Sequence, residues 1–243
     1  MFAAVTGIGS CAAMMPVPEY TLAPLGDSAL VLAFAARIDS ELNERMHALA
    51  AALLAALGSD RVECVPAYHT LTVHFDPMQD DFETLSAVIV GMPEESGHAL
   101  QSARQISIPV CYDARLAPDL AAVAEHAGLS TETLVHLHST ADYRVFFLGF
   151  KPGFAYLGGL PEALHMPRRA SPRLNVPAGA VGIGGTQTGI YPSPSPGGWQ
   201  LIGRTPINLF DVQRSPPSLL QPGDHLKIEV ITFAEFIALG GAP

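Results

Sequence analysis

The sequence predicts an α+β fold in two parts, a small α/β domain followed by a β-barrel domain. Two helical periodicities lie among short strands in the first half, and Gly- and Pro-punctuated β-prone runs fill the second half. Of the 243 residues, 49% are apolar and 15% are charged, which is typical of an ordered globular protein. We place the two domains at residues 19–102 and 103–243, after an extension at residues 1–18.

The extension at 1–18 does not have the pattern of a targeting segment. A secretory signal needs a basic n-region, but the first Lys or Arg of the chain is Arg37. The apolar run is also too short, and too interrupted by Gly and Pro, to span a bilayer. We expect a disordered extension, or an over-long gene start with Met14 or Met15 as the true initiator.

Strands and helices alternate in the first half. The run at 29–34 (ALVLAF) predicts a strand, and Asp39 or Ser40 can cap a helix that ends at Gly58. The apolar residues of that helix recur at helical spacing: Leu42, Met46, Leu49 and Leu53.

The rest of this half completes a known motif. Strands are predicted at 61–65 and 70–75, and a second helix begins at Asp80 or Asp81 and ends at Gly91. Another strand is predicted at 105–111. The resulting order, βαββαβ, is that of the split-βαβ or ferredoxin-like motif.

The second half begins with two short helices, predicted at 119–127 and 131–140. Short β-prone runs with Gly and Pro between them follow at 143–150, 180–184, 200–202, 207–210 and 226–231. In the last run Leu226, Ile228 and Val230 alternate with charged residues, which predicts one buried face. Many short strands separated by turn signals favour a closed or nearly closed β-barrel.

Charge and cysteine usage exclude several classes of protein. The formal net charge of −10 argues against a nucleic-acid partner and against an anionic membrane surface. Cys11, Cys64 and Cys111 stand far apart, so we expect reduced thiols in a reducing, cytoplasmic setting rather than disulfides or a zinc site.

Motifs that mark a self-sufficient catalytic centre are missing from the sequence. It contains no phosphate loop, no GxSxG elbow and no HExxH helix. His136 and His138 lie two apart on a predicted helix and so form a poor metal pair; we expect surface or capping histidines and no metal site. The run Gly182-Ile183-Gly184-Gly185 predicts a tight turn between strands rather than a dinucleotide loop.

Positive charge is concentrated in one segment. Residues 143–212 hold six basic and two acidic residues, a net charge of +4 inside a chain of −10. Arginine suits bidentate recognition of carboxylates and phosphates. The segment therefore predicts an anion-binding site, or alternatively a basic surface whose arginines pair with acids of the other domain.

The same segment carries a family resemblance. The motifs are Tyr143-Arg144-Val145, 148–157 (LGFKPGFAYL), 176–183 (VPAGAVGI), 187–192 (QTGIYP), 195–199 (SPGGW) and 201–206 (LIGRTP), with 24–29 (PLGDSA) and 66–68 (PAY) earlier in the chain. They resemble the allophanate hydrolase subunit 1 family, also known as the B subunit of 5-oxoprolinase (PxpB), KipI, or carboxyltransferase subdomains C and D. The similarity extends from about residue 20 to residue 231. One departure is Gly184, where the family usually shows Ala.

The resemblance implies a fold and a set of partners. It implies that the barrel is cyclophilin-like, and that the chain works with two other subunits, one a second carboxyltransferase-type protein and the other of the LamB/YcsF type. Such an assembly is an ATP-dependent 5-oxoprolinase, which opens 5-oxo-L-proline to L-glutamate with ATP and water. ATP, with Mg, is expected to act in the complex and not to bind tightly to this chain.

Candidate site residues follow from this hypothesis, because an activated lactam oxygen needs cationic donors aimed at its developing charge. The catalytic candidates are Arg144, Arg204 and Gln187. The substrate-binding candidates are Phe150, Gly153, Phe154, Tyr156, Arg168, Arg173, Thr188, Tyr191, Gly197 and Trp199. Arg144 and Arg204 are expected to reach one groove of the barrel.

The sequence is also compatible with other functions. The family also implies a KipI-like inhibitor that docks on a histidine kinase and blocks its autophosphorylation. It further implies the carboxyl-transfer module of a urea carboxylase or allophanate pathway. Barrel similarity alone would allow a prolyl isomerase, although a fold does not determine a function.

Overall fold

The structure is a computed structural model that describes residues 20–92 and 104–242. The extension at 1–18, with Cys11, therefore lies outside the described residues. No helix in the described part is long and apolar enough to cross a membrane.

The N-terminal domain packs helices against an antiparallel sheet. Its elements are β1 (Thr21–Pro24), β2 (Ala29–Ala33), α1 (Ser40–Leu57), β3 (Val62–Pro66), β4 (Thr70–Phe75) and α2 (Phe82–Val90). Asp39 caps α1 by accepting a hydrogen bond from the backbone N–H of Leu42 at 2.8 Å, and Asp81 caps α2 in the same way. Both predicted helices and the buried face of β4 are confirmed.

The sheet of this domain runs in the order β1-β2-β4-β3. The predicted sixth element, β5 (Gln105–Cys111), is a strand, but it pairs with strands of the barrel and not with this sheet. That part of the βαββαβ prediction is wrong. Strand β1, which the sequence pattern did not reveal, occupies the edge beside β2 instead.

The second domain is built around a barrel. After β5 its elements are α3 (Leu120–Ala127), α4 (Thr131–Thr140), β6 (Tyr143–Leu148), β7 (Ala155–Gly158), β8 (Arg173–Val176), β9 (Ala180–Gly184), β10 (Gln187–Ile190), β11 (Ser195–Gly197), β12 (Gln200–Arg204), β13 (His225–Ile231) and α5 (Phe233–Ala238). Among the described residues, the strands β10-β7-β6-β13-β5-β12-β9 close into a barrel. The α+β prediction with a closed barrel is thus confirmed.

Two details of the predicted barrel differ from the structure. Residues 207–210 form no strand and contribute a single bridge, between Phe210 and Ser218. Val230 is 54% exposed, although its position in the alternating pattern matches those of Leu226 and Ile228, which the barrel core buries. The predicted tight turn is confirmed, since Gly185 takes a φ of 68° in the two-residue connection between β9 and β10.

The domains meet at strand β6. Helix α1 and the turn between β3 and β4 lie against it, and both donate hydrogen bonds to barrel carbonyls. Each domain otherwise has its own core of buried apolar residues.

Candidate functional site

The outer face of β9 and β10 carries glycines where a barrel strand usually carries side chains. Gly182 alternates with core residues of β9, and it pairs directly with Gly189 of β10. A Cβ at Gly182 would lie 3.1 Å from the Cβ of Trp199, and one at Gly189 would lie 3.1 Å from the Cζ of Phe154. The glycines therefore let aromatic rings lie directly on the sheet.

Those rings form a continuous aromatic cluster, which we call the aromatic shelf, and three of them are buried: Phe154, Tyr191 and Trp199. Its members are Phe150, Phe154, Tyr156, Tyr191 and Trp199. Phe154 lies at the centre, with ring centroids 4.9 Å from Tyr156, 5.3 Å from Tyr191 and 5.6 Å from Trp199. The mutually tilted and edge-on rings are a favourable arrangement and give the shelf a fixed shape.

Phe150 is the exposed end of the shelf. Its side chain is 60% exposed, and it has the one positive φ (63°) of a non-glycine residue in the described part of the chain. The loop is held on both sides, because the Lys151 Nζ donates to the carbonyl of Pro194 at 2.7 Å and the ring meets Phe154 edge-on. Backbone strain of this kind is concentrated at functional sites.

Arg168 supplies an available positive charge beside the shelf. Its guanidinium lies 5.8 Å from the centroid of Trp199, and its Nη2 is 3.4 Å from the Oε1 of Gln187. Arg168 is exposed, and among the described residues no carboxylate lies within ion-pair distance of it. Its charge also acts on Tyr156, where it opposes the rise in pKa that burial causes.

Arg173 is already occupied by an ion pair. Its Nη2 lies 2.7 Å from the Oδ1 of Asp119, and the Nη1 of Arg169 lies 3.3 Å from the same oxygen. Asp119 is buried and also accepts the backbone N–H of Leu201 at 2.7 Å. Arg173 therefore supports the strand next to the shelf, and its guanidinium is not free for a substrate.

Arg144 and Arg204 also have partners within the chain. Arg144 forms an ion pair with Glu44 of helix α1, across the boundary between the domains. For this residue the structure shows an arginine paired with an acid of the other domain, which was the alternative to an anion-binding site. The Nε of Arg204 donates to the carbonyl of Ala178 at 2.8 Å, its guanidinium approaches the ring of Phe236, and burial lowers its pKa.

The two arginines do not share a groove, so that expectation is wrong. Arg144 pairs with His225 at the start of β13. Arg204 pairs with Cys111 of β5, and Cys111 in turn pairs with Ile231 at the end of β13. Six residues of extended strand separate these levels by about 20 Å. The pair therefore lies at opposite ends of the barrel.

The remaining candidates shape the shelf from beneath. Thr188 is buried and donates to the carbonyl of Gly182 at 3.0 Å. A Cβ at Gly197 would lie 2.6 Å from the hydroxyl oxygen of Tyr191, and Gly153 adopts a φ of 82° in the loop that follows Phe150. Of the two uncharged polar candidates, Thr188 and Gln187, it is Gln187 whose side chain lies beside Arg168.

Sequence reasoning missed two aromatic residues at the site. Phe147 stacks on Tyr156 with ring centroids 4.4 Å apart, and Tyr68 of the N-terminal domain meets Phe147 edge-on at 4.9 Å. Tyr68 belongs to one of the family motifs, 66–68 (PAY), which was the available signal. Its contact with the barrel spans about 80 residues of sequence, so no local pattern pointed to it.

His138 corrects a further expectation, since it is neither a surface nor a capping residue. It is fully buried, and its Nδ1 lies 2.7 Å from the hydroxyl of Tyr112. Burial lowers the pKa of His138 to about 3, so it is neutral at physiological pH. Within the described residues, no group of three or more His, Cys, Asp or Glu is placed to hold a metal ion.

Comparison with known proteins identifies the family. The model of the carboxyltransferase domain, subdomain C and D, matches residues 20–220. The chain belongs to this family. Its relatives include the 5-oxoprolinase B subunit of Bacillus subtilis (strain 168), 39% identical over 231 residues that cover 90% of this chain and 96% of the relative. The protein of the same name from Escherichia coli O157:H7 is 46% identical over 205 residues, or 84% of this chain and 92% of the relative.

Several solved structures share this fold. The crystal structure of TTHA0988 is 41% identical with a TM-score of 0.73, and the match covers 84% of this chain and 39% of that one. PH0987 of Pyrococcus horikoshii is 42% identical with a TM-score of 0.54, and the match covers 89% of this chain and 100% of that one. The match to urea carboxylase of Kluyveromyces lactis has 18% identity and a TM-score of 0.76, and it covers 95% of this chain and 23% of that one. At this identity it shows the fold alone. This chain thus spans about two fifths of TTHA0988 but nearly the whole of the relatives named as the B subunit of 5-oxoprolinase.

The departure from the usual family motif falls within the aromatic shelf. Gly184 alternates with core residues on β9, and a Cβ there would collide with the indole of Trp199. An alanine at this position would force the indole of Trp199 farther from β9. Gly184 therefore allows Trp199 to lie directly on the strand.

Proposed function

We propose that this chain is the B subunit of an ATP-dependent 5-oxoprolinase that opens 5-oxo-L-proline to L-glutamate. The observation that carries the proposal is the exposed Arg168 beside Gln187 and Trp199, in a chain 39–46% identical to proteins named as the B subunit of 5-oxoprolinase. The substrate is a small, nearly flat lactam ring with one carboxylate. The exposed ring of Phe150, the amide of Gln187 and the guanidinium of Arg168, which has no carboxylate partner among the described residues, match these features.

Each group has a distinct task in this proposal. Arg168 binds the carboxylate through charge-assisted hydrogen bonds, which are stronger than those between neutral groups. Gln187 lies within reach of the same ligand, and its amide hydrogen-bonds to the lactam. The exposed ring of Phe150, backed by the buried rings of the shelf, offers the lactam ring an apolar face.

The chemical step belongs to an assembly in this proposal. ATP-coupled opening of an amide requires an activated carbonyl oxygen and stabilisation of the charge that develops on it. This chain binds and orients the substrate, while the second carboxyltransferase-type protein and a LamB/YcsF-type protein complete the site and Mg-ATP acts in the complex. We place the complex in the cytoplasm, where Cys64 and Cys111 remain free thiols.

The test is reconstitution from purified subunits, with glutamate formed from 5-oxo-L-proline and ATP as the readout. The chain alone should give no ATP-dependent glutamate, and the complete set should. Robust turnover by a partner-free preparation would exclude the requirement for an assembly. An inactive complex that instead blocks autophosphorylation of a histidine kinase would favour the KipI-like function.

The site is tested by Arg168→Gln in the active complex. Loss of a hydrogen bond to a charged group typically costs about 1.5–3 kcal/mol, so kcat/KM should fall about 10- to 150-fold. Arg45→Gln is the matched control, because Arg45 is an exposed arginine of helix α1. An unchanged kcat/KM in Arg168→Gln would show that the substrate binds elsewhere.

A further inference from the structure

Strand β6 contains a bulge that turns one side chain out of the barrel core and into the site. Val145 pairs with Leu157 of β7, and both belong to the barrel core. Residues two apart on a regular strand point to the same face, which would direct Phe147 inward as well. Instead Phe147 pairs with Tyr156, since Phe146 is an extra residue in the ladder.

The N-terminal domain forms a hydrogen bond with the backbone carbonyl of the bulged residue, Phe146. The Nε2 of His47, in helix α1, lies 2.5 Å from the carbonyl oxygen of Phe146. Burial is the largest cause of a lowered pKa at His47, so its ring is neutral and donates this hydrogen bond as a tautomer with Nε2–H. The N-terminal domain thus satisfies the carbonyl of the extra residue.

Tyr68 of the N-terminal domain contacts the two strands that flank the bulge, β6 and β7. Its hydroxyl donates to the carbonyl of Leu157 at 3.3 Å, and its ring lies 4.9 Å from Phe147 and 6.0 Å from Tyr156. Tyr68 is buried, at 7% exposure, although it lies at the tip of the turn between β3 and β4. Such a position is occupied only while the two domains are docked.

We propose that His47 and Tyr68 are positioning residues through which the N-terminal domain sets Tyr156, and with it the aromatic shelf, in its substrate-binding geometry. The inference rests on the proposed function for the identity of the ligand. Neither residue touches the ligand; both act through the bulge at Phe146 and the stacked ring of Phe147. The N-terminal domain is therefore part of the binding site and not only a neighbour of it.

The first measurement needs no ligand. Trp199 is the only tryptophan of the chain, and its ring centroid lies 6.1 Å from that of Tyr156. Its emission and its quenching by acrylamide therefore report the packing of the shelf. Tyr68→Leu should change both, whereas Tyr20→Leu should change neither, because Tyr20 packs on Phe34 within the N-terminal domain.

The second measurement is the affinity for 5-oxo-L-proline, from titration of the same fluorescence and from KM in the complex. Tyr68→Leu, which removes the aromatic packing, should weaken binding about tenfold. Tyr68→Phe and His47→Leu each remove one hydrogen bond and should weaken binding about two- to tenfold. His47→Gln restores a donor and should recover most of the loss.

A double-mutant cycle distinguishes positioning from general damage. If Tyr68 acts through Tyr156, then Tyr68→Leu should cause no further loss of affinity in a Tyr156→Leu background. Additive losses, or an unchanged Trp199 signal in Tyr68→Leu, would overturn the proposal. A reconstituted complex that neither binds nor turns over 5-oxo-L-proline, while Tyr68→Leu still alters Trp199 emission, would reject the proposed function and leave the packing role of Tyr68 supported.

Discussion

Asp119 offers a sharp test of which arginines are structural. Its carboxylate accepts from Arg173, from Arg169 and from the backbone N–H of Leu201, and the backbone N–H of Asp119 donates to the carbonyl of Leu201 at 3.0 Å. Arg173 also donates to the carbonyl of Trp199 at 3.5 Å. One buried carboxylate therefore ties two arginines to the strand that follows Trp199.

The cost of losing this charge can be worked out from the exposure of the groups. Removing one partner of a buried ion pair typically costs about 3–5 kcal/mol. The side chain of Asp119 is 8% exposed, but those of Arg173 and Arg169 are 22% and 37% exposed, so solvent screens part of the interaction. For Asp119→Asn, which keeps an acceptor for Leu201, we expect a loss of about 2–4 kcal/mol in the free energy of unfolding. In a chain of this size that lowers Tm by roughly 5–15 °C.

The assay is thermal and urea unfolding of the isolated chain, with Trp199 emission as a local probe. Asp113→Asn is the matched control, because the side chains of its pair with Arg115 are 31% and 59% exposed, so this variant should change Tm much less than Asp119→Asn does. Asp119→Asn should also loosen the setting of Trp199 and weaken substrate binding. If Asp119→Asn is as stable as the wild type, while Arg173→Gln weakens binding without loss of stability, Arg173 belongs to the substrate site and our assignment is wrong.

Two further predictions follow from the barrel. Gly189→Ala should lower both Tm and substrate affinity, because its Cβ would lie 2.8 Å from the carbonyl oxygen of Ala155. In the control, Gly198→Ala, the added Cβ makes only ordinary van der Waals contacts. Equal Tm and affinity in the two variants would contradict the shelf geometry. The pKa of His138 is about 3 in the folded chain, below its ordinary value of 6.5, so the unfolded chain takes up the proton first and stability falls as pH drops below about 6.5. His138→Gln should remove up to about 1.4 kcal/mol of this loss per pH unit, and identical urea midpoints against pH for both proteins would refute the role of His138.

Local patterns identified most of the secondary structure. Capping residues and helical spacing placed α1 at Ser40–Leu57 and α4 at Thr131–Thr140, and alternation placed β4. These signals lie within a few consecutive residues, so the sequence is enough to detect them. The short strands β7, β8, β10 and β11 were missed, since three or four residues are too few for a periodic pattern.

The pattern of charge indicated where the site would lie but not which residues compose it. Residues 143–212 do contain the aromatic shelf and Arg168. An arginine looks the same in the sequence whether it forms an ion pair, like Arg173, or has no carboxylate partner in the described part of the chain, like Arg168. Its pairing depends on an acid that only the fold brings close.

The sequence by itself determined the four helices α1 to α4, many of the strands, the barrel, the positive segment and the family. Tertiary structure alone decided that β5 joins β13, that Arg144 pairs with Glu44, and that Tyr68 reaches the shelf. The physical reason is separation along the chain: the hydrogen bond between Arg144 and Glu44 joins residues 100 positions apart. Caps, turns and alternation are encoded within a few neighbouring residues, whereas such long-range contacts form only when the whole chain has packed.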